Sequence, residues 1–204
     1  SAGEVILNSP LSTSGDGQSS GSIEITANGA GNDSASPLSV VHPILADSIS
    51  ITAPAIQFIP GEENVASVLA NPRYPNAGDF YDGFPNKAAS TIEVRTTSGS
   101  NQLGYIVFSD PNLDILGESI IFYAGNEIGN NFVSGDIVAR NSLELSSGQI
   151  VDRTNSGELN ELNYSGIILN DFNVTTPRAS IDSPGAVIVD FKYFGSGSIA
   201  GDGA

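Results

Sequence analysis

Cysteine, methionine and tryptophan are missing from all 204 residues, and histidine occurs once. Without cysteine the chain can close no disulfide, hold no metal through thiolate and use no sulfur nucleophile, so its stability must come from packing and backbone pairing. Without tryptophan it lacks the broadest platform for stacking a sugar ring. Basic side chains are scarce: 7 Lys and Arg stand against 23 Asp and Glu, a formal charge of −16. A field of that sign repels phosphate, so neither nucleic acid nor an anionic membrane surface is an expected partner. No run approaches the roughly 20 apolar residues of a membrane-crossing helix, and membrane insertion is not expected. The sequence opens Ser1-Ala2-Gly3 without a Met, as though a leader had been removed. That opening, with few lysines and abundant Ser, Asn, Gly and Asp, leads us to expect a secreted protein, extracellular or held at a cell surface.

What is present is β-forming. Apolar residues make up 39% of the chain, enough to bury a core. Runs of Val, Ile, Phe and Thr alternate with clusters of Gly, Asn, Asp, Ser and Pro, the punctuation of an all-β fold. The clearest strands are 22–27, 48–53, 91–97, 103–109, 118–124, 132–139, 166–170 and 186–194. In the last of these, Val187, Val189, Phe191 and Tyr193 share one face, with Asp190 and Lys192 on the other. One short helix is expected near 62–70, where Pro60-Gly61 precedes acidic Glu62 and Glu63 and Asn71-Pro72 provides a stop.

The expected architecture is a β-sandwich, jelly-roll or Ig-like. Residues 1–37 read as an extended N-terminal arm with one or two strands, 38–194 as the sandwich and 195–204 as a Gly/Ser-rich tail. The alternative is a β-solenoid, suggested by the echo of Gly135-Asp136-Ile137-Val138, Gly148-Gln149-Ile150-Val151, Gly157-Glu158-Leu159 and Gly166-Ile167-Ile168. The unequal spacing of these glycines favours ordinary hairpin turns, for which Gly is the usual residue.

Little of the sequence reads as catalytic, and the chain is not expected to be an enzyme. His42 has no nucleophile-elbow motif to serve, and no strand carries a pair of carboxylates at glycosidase spacing. Calcium is the one cofactor with a candidate site: Asp110, Asn112 and Asp114 offer alternate oxygens, with Glu118 in reach. Ile115 and Ile121 stand where an EF-hand needs Gly and Glu, and Asp-Pro-Asn is also ordinary turn chemistry, so no cofactor is required. The long 71–90 segment crowds Tyr74, Phe80, Tyr81 and Phe84 around Asp79 and Asp82. It reads as a glycan-binding or subunit-contact loop, or as a loop that buries its own rings. Asn32, Asn163 and Asn173 lie in glycosylation sequons, at a frequency near chance.

These features lead us to expect a structural subunit of an extracellular filament or surface layer. It would assemble with other copies of itself, as pilus subunits do, by donating a strand to an open sheet edge. The donor candidates are Val5, Ile6 and Leu7, followed by Ile23 and Ile25, apolar stretches separated by flexible Gly and Ser. Two alternatives are a secreted adhesin or carbohydrate-binding module, with glycans as partners, and a virion coat or decoration protein.

Overall fold

The computed structural model describes residues 5–7, 9, 11–12, 21–28, 37–60, 68–70, 91–97, 104–130, 134–148 and 166–201. The chain lays these down in turns. The first turn holds β1 (Val5–Leu7), β2 (Leu11–Ser12) and β3 (Ser22–Thr26). The second holds β4 (Leu38–Val40), β5 (Ile44–Leu45) and β6 (Ser48–Ala53), and the third β7 (Ile56–Phe58), β8 (Val68–Ala70) and β9 (Thr91–Thr96). Longer strands follow: β10 (Tyr105–Phe108) with β11 (Leu113–Ala124), then β12 (Glu127–Asn130) with β13 (Gly135–Ser147). Finally β14 (Gly166–Ser183) and β15 (Ala186–Gly201) each make a whole turn as one bent strand.

Among the described residues fifteen strands join one sheet, and every pairing between them is parallel. Its main path climbs β1-β4-β7-β10-β12-β14 and returns through β13-β11-β8-β5-β2, so the sheet is curled. The register falls into three stacks. First strands pair with first strands (Val5↔Leu38, Leu38↔Ile56, Ile106↔Ile56), second with second (Leu11↔Ile44, Ile44↔Leu69, Ile115↔Leu69) and third with third (Ile23↔Ile49, Ile49↔Ile92, Ile120↔Ile92). The long strands change stack where the register shifts, between Gly117 and Ser119 in β11 and between Leu169 and Val174 in β14. Each turn thus lies over the one before it.

This corrects the β-sandwich expectation. Two facing antiparallel sheets would need hairpins, whereas here each strand's neighbour is supplied one full turn later, and the other two sides of the turn act as the crossover that parallel pairing demands. Of the helix expected near 62–70, residues 62–67 lie outside the described residues, while Val68–Ala70 is corrected to a strand, held between β5 and β11; no helix occurs among the described residues. Lateral pairing on both sides outweighs a short capping signal, because helix propensity is a weak prior. The tail expected from residue 195 is strand as far as Gly201, paired with 178–183 of β14. Tyr193 leaves the face shared by Val187, Val189 and Phe191: Phe191 pairs with Val174 but Tyr193 with Thr175, so Lys192 is an extra residue and Tyr193 turns outward.

The curl closes on a single core. Ile23, Ile49, Ile92, Ile120 and Leu143 form one inward ladder of the third stack, and Ile25, Ile51, Val94, Phe122, Leu145 and Ile181 the next. Phe108 lies in register over Phe58 at 5.4 Å between ring centres, and touches Phe172 at 5.4 Å and Phe122 edge-on at 5.7 Å. It therefore ties all three stacks together. Corners need backbone to pass close to backbone: a Cβ on Gly135 would come 2.5 Å from the Leu113 carbonyl oxygen one turn below.

Candidate functional site

Parallel winding leaves two sheet edges. At one end β1, β2 and β3 each pair with a single neighbour, β4, β5 and β6; at the other β15 pairs with β14 alone, among the described residues. The donor candidates Val5, Ile6, Leu7, Ile23 and Ile25 therefore lie within the first described turn, whose strands pair on one side only among the described residues. Leu7, Ile23 and Ile25 pack against the core, while Ile6 faces solvent. On β15, Ile199 continues the inward ladder below it yet is 51% exposed, with β14 its one paired neighbour among the described residues. Tyr193 and Phe194 are exposed nearby, and the Phe194 ring meets Phe191 at 4.9 Å.

A second feature lies on the outer face of the third stack. Alternation sends 119, 121, 142, 144, 178, 180, 196 and 198 outward, and they line an open groove of about 690 Å³ that crosses β11, β13, β14 and β15. Hydroxyls dominate it, and Ser142 Oγ donates to Ser119 Oγ at 3.2 Å. Arg178 is fixed at the groove by Asn141: its Nε donates to the Asn141 carbonyl at 3.1 Å and its terminal nitrogen to the Asn141 side-chain oxygen. Arg95 and Arg140 instead pair with carboxylates, Glu93 and Glu118, the latter at 3.5 Å.

The acidic residues singled out for calcium divide. Asp110 is buried, and its Oδ1 accepts the Asn112 backbone N–H at 2.9 Å, a turn-forming bond. Asn112 is exposed, and Glu118 points to Arg140. Asp114 is half-buried, directly across the β11–β13 pairing from Asp136. Burial first, then the charges of Asp136 and Asp110, push its carboxyl up to about 6. Three or more carboxylate or imidazole groups placed to hold a metal do not occur among the described residues.

His42 is partly buried, and its Nδ1 has no hydrogen-bond partner among the described residues. Asn173 is exposed on β14. Tyr74, Asp79, Phe80, Tyr81, Asp82, Phe84, Asn32 and Asn163 lie outside the described residues. Sequence reading missed Asp136, Asn141 and Arg178. Asp136 and Arg178 lie outward as alternation requires, whereas Asn141 is turned out only by the corner between Val138 and Leu143, and only the parallel register brings the three together with Asp114 and with the serines. Compared with protein-family models, curated proteins and solved structures, the chain matches none.

Proposed function

We propose that this chain is a structural subunit of a secreted filament or surface layer, and that copies join end to end through main-chain pairing. The observation that carries the reading is the pair of end turns. The first and last turns run in the same direction and divide among the same three stacks, so β15 of one copy has the direction and layout to receive β1, β2 and β3 of the next. Such a contact is head-to-tail and does not close on itself, which generates a fibre rather than a ring or dimer. It would also cover the apolar side chains of the last turn, Ile199 above all, and satisfy a long row of backbone donors and acceptors that invites pairing. Donation in this form needs no detached arm: the whole first turn acts as the donor.

The test is size-exclusion chromatography with light scattering and negative-stain imaging across a range of concentrations. Elongated assemblies that lengthen with concentration are expected. Ile199→Lys should shorten them, since it places a charge in the pairing face without altering an interior turn, and deletion of residues 1–27 should do the same from the other end. A chain that stays monomeric at every concentration, or fibres indifferent to both changes, defeats the reading.

A further inference from the structure

We propose that the outer groove of the third stack is a binding site for an acidic oligosaccharide, one whose carboxylates are set apart by neutral sugars. The inference is separate from end-to-end assembly, because it is carried by side chains that point out from the sheet face, whereas assembly would use the backbone along the outer edge of β15.

Three properties of the groove select this ligand. Its walls are hydroxylic: Ser119, Ser142, Ser180, Ser196 and Ser198 stand on four successive strands, each able to donate and accept. Strands about 4.8 Å apart carry this row over roughly 14 Å, the reach of a short oligosaccharide. Ile121 adds an apolar patch for the C–H face of a sugar ring, and the Glu144 carboxylate can accept from ring hydroxyls. Open ends let a chain lie across the strands without being threaded.

Arg178 supplies the charge preference. Asn141 holds its guanidinium through neutral oxygens, which orients the side chain without cancelling its charge. Arg95 and Arg140, by contrast, are already matched to Glu93 and Glu118. A guanidinium fixed in place and still carrying its charge beside a row of hydroxyls is matched by a carboxylate carried on a polyol, the charge-assisted bond that arginine geometry favours. The net charge of −16 sets the other limit. A densely sulfated or phosphorylated polymer would meet the repulsion of the whole molecule, whereas a sparsely charged chain can set one carboxylate on Arg178 and a neutral sugar over Glu144, the carboxylate that shares the groove.

The probes are unsulfated hyaluronan and chondroitin hexasaccharides and a sialylated trisaccharide, with carboxyl-reduced hyaluronan and heparin as comparators. Binding would be read by calorimetry and by amide shifts in the full chain. At least one acidic probe should bind and shift the amides of Ser142, Glu144 and Ser180, with carboxyl reduction weakening it by about tenfold, as loss of one charge-assisted bond implies. Arg178→Gln should weaken the acidic probe by about the same factor and leave the reduced one nearly unchanged; Arg178→Lys should retain part of the affinity. Because Arg178 is exposed, both variants should melt like the parent, which separates a lost contact from a lost fold. The proposal falls if no acidic probe binds, if the reduced probe binds as well, if heparin binds more tightly than all of them, or if Arg178→Gln changes nothing.

Discussion

Asp114 on β11 and Asp136 on β13 stand directly opposite each other on adjacent turns, two carboxyls in one register position. Burial of Asp114 and the nearby charges of Asp136 and Asp110 raise its pKa from 3.8 to about 6. A folded-state value above the unfolded one means that the fold favours the protonated form. That stabilisation is complete below the unfolded pKa and disappears as pH rises through about 6. Melting temperature should therefore climb as pH is lowered from 7.5 to 5. Asp114→Asn should raise stability at pH 7.5 by on the order of 1 kcal/mol, the shift being discounted for partial exposure, and should flatten that slope. A parent protein whose melting temperature is level between pH 5 and 7.5 contradicts this.

Phe108 should be the most costly ring to remove, since it touches Phe58, Phe122 and Phe172 and so joins all three stacks. Phe108→Ala should cost about 3–5 kcal/mol in urea unfolding. A loss below about 1.5 kcal/mol would show that the centre of the curl collapses around the gap.

Asn126 should behave in the opposite way. Its side chain is 1% exposed, and neither amide atom has a partner among the described residues. An unpaired buried amide contributes a desolvation cost instead of a bond, so removing it relieves that cost. Asn126→Ala should change stability by less than about 1 kcal/mol in either direction, measured in the same denaturant series. A loss comparable to that of Phe108→Ala would mean that the amide has partners and is needed.

The pattern along the strands was readable from sequence; their direction was not. Ile23 and Ile25, Ile49 and Ile51, and Ile92 and Val94 alternate with polar residues, and all lie inward as alternation requires. A Gly or Asn cluster, however, marks the corner of a parallel turn as well as the bend of a hairpin, so the same punctuation fits both a sandwich and a coil. Repetition would have decided between them, but the first strands of successive turns begin at 5, 38, 56, 105, 127, 166 and 186, too uneven to register as a period. The solenoid alternative shares the parallel winding, while the regular repeat it implied is not there. The groove was hidden for a similar reason: Ser119, Ser142 and Arg178 are far apart in sequence and meet only through the register.

Gly197 tests how tightly the last turn is seated. Its φ is +154°, and a Cβ there would sit 1.7 Å from the Ala179 carbonyl oxygen. Gly197→Ala should destabilise the protein by about 1–3 kcal/mol and raise hydrogen exchange along 178–183 before the inner turns respond. Uniform exchange across every turn would instead mean that β15 is not a separable layer.

Because each described turn pairs its backbone only with the turn before and the turn after it, the molecule has no step at which distant turns must find one another to complete the sheet. Order can spread from any turn already formed, one layer recruiting the next, and damage at an end need travel no further than the layer beneath. Length then becomes a free variable of such an architecture: adding or deleting a layer changes how many are stacked without changing how any remaining layer is held.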